Sequence, residues 1–346
     1  MRLMVTGGAG FIGSALIRMA VGDGHEVLNV DSLSYASCLD NLSSVAHRPQ
    51  YSFARGDVMD GPFLDRSLFE FQPDAVIHLA AESHVDRSID GPLDFVRTNV
   101  LGTANLLVAV RDYWDDRGRP DDFRFLHVST DEVFGALGPT GRFCEHSPYA
   151  PNSPYAASKA SSDHLVRAWG HTYGLPVLTT NCSNNYGPFQ FPEKLIPVVI
   201  LKALAGRPIP VYGTGNQMRD WLYVDDHVRG LLAVLARGEP GERFVLGSGQ
   251  ETRNIDLVQR ICAILDQRRP RRSSYARQIS FVEDRPGHDF RYALDTTRAR
   301  TALNWTPLVG LDEGLEQTVS WYLENSDWAR SLGNEENAEV LEGVAV

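Results

Sequence analysis

The chain has 346 residues and 43% hydrophobic content, enough for one large domain or two moderate ones. A net charge of -11 speaks against a general nucleic-acid binder, although a local pocket can still be basic. With 30 glycines and 19 prolines, near ordinary usage, collagen-like and low-complexity classes are excluded.

The apolar run Leu3 to Val5 predicts a short buried strand. Gly7, Gly10 and Gly13 follow at spacing three, and Phe11, Ile12, Ala15, Leu16 and Met19 then recur at helical spacing. Strand, glycine turn and helix together form the context a dinucleotide fingerprint needs. Gly7 allows a tight turn, Gly10 lets backbone amides approach a pyrophosphate, and Gly13 lets the helix pack close to the sheet. The helix N-terminus then offers unpaired N–H groups to phosphate. Taken alone, the same stretch also reads as a glycine-rich turn that binds nothing.

A second strand, Glu26 to Asp31, ends in a carboxylate 18 residues after Gly13. Asp31 there can accept from both adenosine ribose hydroxyls and repel a 2′-phosphate, which favours NAD over NADP. The loop Ser32 to Leu42, with Leu33 and Ser34, is too long for a simple turn and reads as a binding loop. Tyr51 to Val58 is a third strand; Asp57 at its end either accepts from adenine or caps the next helix, Phe63 to Phe71. Asp74 to Ala81 is a fourth, and its Leu79-Ala80-Ala81 end is small enough to pass close to a cofactor. Pro92 to Trp114 is a long helix, Phe125 to Val128 a fifth strand, Tyr155 to Tyr173 a helix, and Val177 to Asn181 a sixth strand.

This alternation predicts an α/β fold: a Rossmann-type, doubly wound parallel sheet with a smaller C-terminal substrate-binding domain. Ligands then sit at the carboxyl ends of the strands. One rim would carry Gly7–Gly13, Asp31, Asp57, Ala80–Ser83, Thr130–Glu132 and Asn184–Asn185. The expected division is a cofactor domain over 1–183, rejoined by 224–249, a substrate domain over 184–330, and an acidic, mobile tail over 331–346. Within the second half, helices are expected over Leu195 to Leu204, Val224 to Ala236, Asn254 to Gln267 and Leu311 to Leu323. A strand over Glu242 to Gly247 would return to the main sheet. The Arg268–Arg277 loop reads as solvated.

Cys38, Cys144, Cys182 and Cys262 lack metal-ligand or redox spacing, so free thiols and no metal site are expected. A first strand at Arg2 leaves no room for a leader, and no apolar run approaches a bilayer span, so the expectation is a soluble, cytoplasmic protein without a membrane partner.

Two groups carry chemistry. Tyr155 and Lys159 lie four apart on one predicted helix, where an ammonium would lower a phenol pKa that is otherwise about 10. The phenolate could take a proton from a sugar hydroxyl. Alone, the pair reads equally as two surface residues. Thr130-Asp131-Glu132 closes the fifth strand, and adjacent carboxylates there could serve as an acid and a base if their environments separate their pKa values.

These stretches resemble the extended short-chain dehydrogenase/reductase family, on its nucleotide-sugar dehydratase side. The matching segments are Val5–Gly13, Leu79–Asp86, Ser129–Gly135, Ser153–Lys159, Ser183–Pro188, Phe191–Pro197, Arg219–Asp225 and Asp284–Asp289. The adjacent Asp131 and Glu132 are the specific signal for dehydration over epimerisation. Phe134, where the family has Tyr, and the Arg268–Arg277 loop depart from the pattern.

The resemblance implies C4 oxidation, loss of water across C5 and C6, and hydride return to C6 of a nucleotide-linked glucose; a UDP-sugar 4-epimerase or another nucleotide-sugar dehydratase of the same family is the alternative. It implies that Thr130 bonds the glucosyl O4, that Tyr155 is the base there, and that Lys159 tunes Tyr155 and binds the nicotinamide ribose. Glu132 would remove the C5 proton and Asp131 would protonate the departing C6 oxygen. Asn184, Lys194, Arg219, Asn254, Arg285 and His288 would hold the nucleotide sugar, helped by Ser83, Leu195, Pro210 and Tyr212. Arg219 would grip the diphosphate bidentately. Phe11, Ile12, Leu33, Ser34, Val58, Leu79, Ala80, Ala81, Ser83, Thr98 and Asn185 would place NAD with the glycines and Asp31. A homodimer through the Pro92–Trp114 and Tyr155–Tyr173 helices is also implied, while thymidine against uridine stays open.

Overall fold

A computed structural model describes residues 1–332, so the tail expected from Gly333 onward lies outside the described residues. The strands are β1 (Arg2–Thr6), β2 (Glu26–Asp31), β3 (Tyr51–Arg55), β4 (Ala75–His78), β5 (Arg124–Thr130), β6 (Val177–Cys182), β7 (Asn184–Tyr186), β8 (Ile209–Tyr212), β9 (Met218–Tyr223), β10 (Arg243–Leu246), β11 (Glu251–Arg253) and β12 (Ile279–Val282). The first helices are α1 (Phe11–Gly22), α2 (Gly61–Phe71), α3 (Val85–Asp90) and α4 (Pro92–Phe95). The last runs through a π-helical Val96–Gly102 into α5 (Thr103–Asp116). Then come α6 (Pro154–Tyr173), α7 (Leu195–Leu204), α8 (Val224–Arg237), α9 (Asn254–Arg268), α10 (Thr297–Leu303), α11 (Leu311–Glu324) and α12 (Ser326–Ser331).

Seven strands form one parallel sheet in the order β10-β6-β5-β4-β1-β2-β3. Six of its strands are buried almost throughout, as a sheet covered on both faces requires, while the edge strand β3 has no fully buried residue. The chain leaves β1 for β2 and β3 on one side and returns to β4 on the other. The switch point therefore lies between β1 and β4, where such sheets open a crevice. Leu16 and Ile17 of α1 are fully buried on one face, each worth about 1.5–3 kcal/mol. Leu106, Leu107 and Val110 of α5 fill the other.

A second core lies under β7, β9 and β11, which make a three-stranded sheet with an antiparallel β11–β9 pair. Strands β8 and β12 pair separately. These short strands, and helices α3, α10 and α12, were not expected from the sequence. The helical stretch Pro92–Asp116 is 25 residues long, and by length and hydropathy it could cross a membrane. Here its inner face packs on the sheet while Leu93, Val96, Leu101 and Val108 stay exposed on its outer face.

Candidate active site

The glycine turn closes on the rest of the rim. Gly7 sits at φ +72, and a Cβ there would lie 2.6 Å from the Ala80 amide nitrogen. A Cβ on Gly13 would lie 2.2 Å from the Gly7 carbonyl oxygen. The two glycines thus bring β1, the β4 end and α1 into direct backbone contact. The N-cap of α1, Gly10, supplies no side-chain bond, and its first turn holds no acidic residue. An uncapped, acid-free helix end at the switch point fits a dinucleotide pyrophosphate.

Asp31 is buried and already engaged by three donors: Ala9 N at 2.9 Å, Leu33 N at 2.8 Å and Ser37 Oγ at 2.9 Å. About one of its roughly four acceptor sites remains for a ribose hydroxyl. Asp57 is not the helix cap. Its carboxylate accepts from Met59 N, while Asp60 caps α2 by accepting from Phe63 N at 3.0 Å. Asp57 and the buried Val58 stand at the end of β3 beside Asp31. Leu79, Ala80 and Ala81 continue from β4, with Ala80 N donating to Thr6 Oγ1.

The catalytic helix α6 starts sharply. Ser153 accepts from Ala156 N at 3.1 Å, and Pro154 occupies the first helical position. Tyr155 and Lys159 then share its buried face. Lys159 Nζ donates to the Val128 carbonyl at 2.9 Å, and burial lowers its pKa. The Tyr155 phenol is pushed well up by burial and by Glu132, with the Thr130 hydroxyl acting the other way. The Lys159 ammonium is thus fixed on a backbone carbonyl one turn from Tyr155, and the Thr130 hydroxyl opposes the rise of the phenol.

Thr130 ends β5 and accepts from Glu132 N at 3.3 Å, turning the next residues into one 3-10 turn. That turn separates the two carboxyls. Asp131 is 1% exposed, and its Oδ2 has no hydrogen-bond partner among the described residues. Burial, Glu132 and Asp220 raise its pKa well above the carboxylate range. Glu132 is half-buried and also raised by desolvation, but Arg285, Lys194 and Arg219 oppose the shift. Burial thus raises both carboxyls, further at Asp131, and three cations counter the rise at Glu132.

The substrate-side residues converge from the second core. Lys194 Nζ bonds the Ser83 carbonyl at 2.6 Å, just before α7 opens with Leu195. Arg219 is 4% exposed and donates to the Met218, Phe290 and Asp289 carbonyls, its guanidinium 4.3 Å from the Tyr292 ring centre. Those bonds use both Nη1 donors and one Nη2 donor, which leaves Nε–H and the second Nη2–H, the side-on pair, without a backbone partner among these bonds. Arg285 is freer: it pairs with Asp86 at 3.3 Å, and its buried Nε has no partner among the described residues. Asn184, Asn185 and Asn254 each keep a buried, unpartnered Oδ1 among those residues. His288 Nδ1 lies 2.6 Å from Asp284, and Tyr212 OH reaches Asp86 at 3.4 Å. Pro210 lies in β8 beside them, whereas Ser34 is exposed on the loop after Asp31.

Sequence reasoning missed Asn99, one position beyond Thr98. Its side chain accepts from Glu82 N at 2.9 Å and donates to Glu82 O and Ser158 Oγ, tying the Ala80–Ser83 loop to α6. The signal was there: Phe95, Asn99 and Leu106 fall on one helical face, so a polar residue occupied a core position. Also missed was Asp163, buried between His127, Tyr149 and Asn181, with Asn181 donating to the Thr130 carbonyl at 3.0 Å. Among the described residues, no cluster of three His, Cys, Asp or Glu could hold a metal ion.

The GDP-mannose 4,6 dehydratase family matches residues 4–318. The dTDP-glucose 4,6-dehydratase of Xanthomonas campestris pv. campestris (strain B100) is 57% identical over 333 residues, covering 95% of each chain. dTDP-glucose 4,6-dehydratase 1 of Escherichia coli (strain K12) is 52% identical over 344 residues, covering 96% of this chain and 95% of its own. Among solved structures, the dTDP-glucose 4,6-dehydratase of Streptomyces venezuelae with NAD bound superposes with a TM-score of 0.88 at 45% identity, covering 96% of this chain and 100% of that one. The UDP-glucose 4-epimerase of Thermotoga maritima reaches 0.84 at 29%, covering 94% and 100%.

Proposed function

The chain belongs to the GDP-mannose 4,6 dehydratase family, and from that premise we infer that it is a hydro-lyase converting dTDP-glucose to dTDP-4-keto-6-deoxyglucose with NAD. The observation that carries this reading is the pair Asp131 and Glu132, adjacent at one strand end, the first buried with an unpartnered Oδ2 and raised further, the second facing three cations that oppose its rise. Oxidation and reduction at a single carbon need one proton-transfer group; elimination needs an acid and a base together.

NAD, when bound, would supply the hydride acceptor for C4 and the hydride donor for C6. The residues that would hold it are the Gly7–Gly13 turn, Asp31, the Asp57–Val58 and Leu79–Ser83 segments, Thr98, Lys159 and Asn185. Tyr155 takes the O4 proton as Thr130 bonds that oxygen. A C5 proton on glucose is beyond a carboxylate, but a C4 ketone makes it acidic. Glu132, where three cations oppose the rise that burial imposes, removes it. Asp131, whose pKa burial raises furthest, gives its proton to the C6 oxygen, which leaves as water. The alkene that results is conjugated to the ketone, so C6 is electrophilic and C5 recovers a proton from Glu132. Lys194, Arg285 and the remaining Arg219 N–H groups face the nucleotide diphosphate, with Asn184, Asn254 and His288 around them.

The first 183 residues with 224–249 serve as the cofactor half, and 184–330 mainly hold the nucleotide. The protein acts as a homodimer, the exposed Leu93, Val96, Leu101 and Val108 giving each copy an apolar helix face. It works in the cytoplasm, its four cysteines free, without nucleic-acid or membrane partners. The test is incubation with dTDP-glucose deuterated at C4, and separately with UDP-glucose, reading product mass and label position. Loss of water with deuterium at C6 supports the reading. Unchanged mass with label retained at C4 is the epimerase result and overturns it.

A further inference from the structure

The loop between β2 and the Leu39–Leu42 turn starts in the cofactor half but packs against the second core. Tyr35, Ala36 and Cys38 lie on that core together with Trp321, Trp328 and Ala329. The contact has a defined polar end. Trp328 Nε1, in α12, donates to Asn41 Oδ1 at 2.9 Å. Asn41 is 2% exposed, and its amide donates to the Ala9 carbonyl at 3.3 Å. Ala9 N in turn donates to Asp31 Oδ2 at 2.9 Å. Two hydrogen bonds therefore run from the last described helix to Ala9, between Gly8 and Gly10 in the pyrophosphate turn, and a third continues from Ala9 to Asp31.

Other contacts brace the same relay. Arg18 of α1 donates to the Asn41 carbonyl at 2.7 Å and lies 4.4 Å from the Phe189 ring centre. Phe189 meets Trp328 edge-on at 5.9 Å. Beyond Trp328, Ser331 and Leu332 wall a cavity of about 300 Å³ whose other side is Leu33, Ser37, Cys38, Leu39 and Asp40. This cavity adjoins Asp31, which Ser37 and Leu33 both contact. The segment that follows the substrate half thus walls one side of the cavity that adjoins Asp31.

We propose that Trp328 is a positioning residue for the cofactor: through Asn41 it holds Ala9 and the loop after Asp31, so that the C-terminal helix governs how long NAD stays bound. The inference rests on the NAD reading of the glycine turn. It gives that turn a support lying more than three hundred residues away in the chain.

The experiment loads the full-length protein with isotopically labelled NAD and follows release into excess unlabelled NAD. Trp328→Phe keeps a ring among Phe189, Trp321 and Tyr322 but removes the donor. Losing one net hydrogen bond corresponds to about fivefold faster release. Asn41→Ala removes both ends of the relay and should release faster still. The double variant should match Asn41→Ala rather than multiply the two effects. Activity lost on dilution into NAD-free buffer should return on adding NAD. Thermal midpoints are read alongside, so that general loosening is seen separately. Release at the wild-type rate from folded Trp328→Phe and Asn41→Ala overturns the proposal, as do effects that simply multiply. If the wild-type protein retains no labelled NAD, the cofactor reading itself fails; if it retains NAD and the variants match it, only the role of Trp328 fails.

Discussion

Asp131→Asn keeps the shape and neutrality of a protonated carboxyl but has no proton to give. Asp131 is 1% exposed, its Oδ1 lies 3.4 Å from Thr130 Oγ1, and burial, Glu132 and Asp220 hold it in the neutral form. A positioned general acid contributes about 10²–10⁴ in rate, or about 2.7–5.4 kcal/mol. The variant should lose turnover by that factor while still binding dTDP-glucose. Stability should move oppositely. The folded pKa is raised above the unfolded one, so the stability tied to this proton is fully present below the unfolded value, about 3.9. It is lost as pH rises through the folded pKa. Asparagine does not titrate, so the variant should gain stability over wild type as pH climbs and show no gain in acid. Urea unfolding at several pH values, with turnover by product mass at neutral pH, reads both effects. Turnover within tenfold of wild type, or a stability gap that does not widen with pH, would refute the acid assignment.

Three further outcomes are expected. Asp31→Ala should weaken NAD binding and narrow the gap between NAD and NADP, measured by titration calorimetry; an unchanged preference would remove Asp31 from the cofactor site. Tyr155→Phe should form no reduced nicotinamide on mixing with substrate, whereas Glu132→Gln should accumulate it, and identical absorbance traces from the two would break the division of roles. Gly13→Ala, whose Cβ would sit 2.2 Å from the Gly7 carbonyl, should cost roughly 1–3 kcal/mol in stability and weaken NAD binding, read by thermal unfolding and titration.

The parts of the site that the sequence made legible are those whose chemistry is contiguous. The glycine turn, Thr130-Asp131-Glu132 and Tyr155 with Lys159 each lie within one element, so spacing alone aligns them. Strands β7 and β11 have three residues each, too few to display a period of two, and β9 is buried at five of six positions and shows no alternation. Asn99 with Ser158, and His127 with Asp163, are buried pairs separated by 59 and 36 positions, a proximity only the sheet order creates. The residue type of Arg219 suits a phosphate, but the sequence does not show that three of its five donors are bound to backbone carbonyls, which fixes the orientation of the other two. The Asp57 cap was ambiguous because Asp60, three residues on, is an equally good capping residue, and the helix starts after the second.

The sheet order also explains why these contiguous pieces can act together. Neighbouring strands lie about 4.8 Å apart, so the ends of β1 and β5, with β4 between them, are separated by about 10 Å. The same distance on the other side of β1 reaches β3. A dinucleotide whose pyrophosphate rests on the β1 turn therefore lays adenosine over the β2 and β3 ends, where Asp31 and Asp57 stand. Its other half crosses β4 toward β5, where Thr130, Asp131 and Glu132 stand. Helix α6 follows β5 and packs against both β5 and the Pro92–Asp116 helix, which brings Tyr155 to the same end. Had the carboxyl pair ended β6, one strand further out, it would sit about 5 Å too far to share a sugar with the cofactor. On the proposed roles, the position of the pair in the strand order, and not only its composition, would permit oxidation at C4 and elimination across C5 and C6 on one bound substrate.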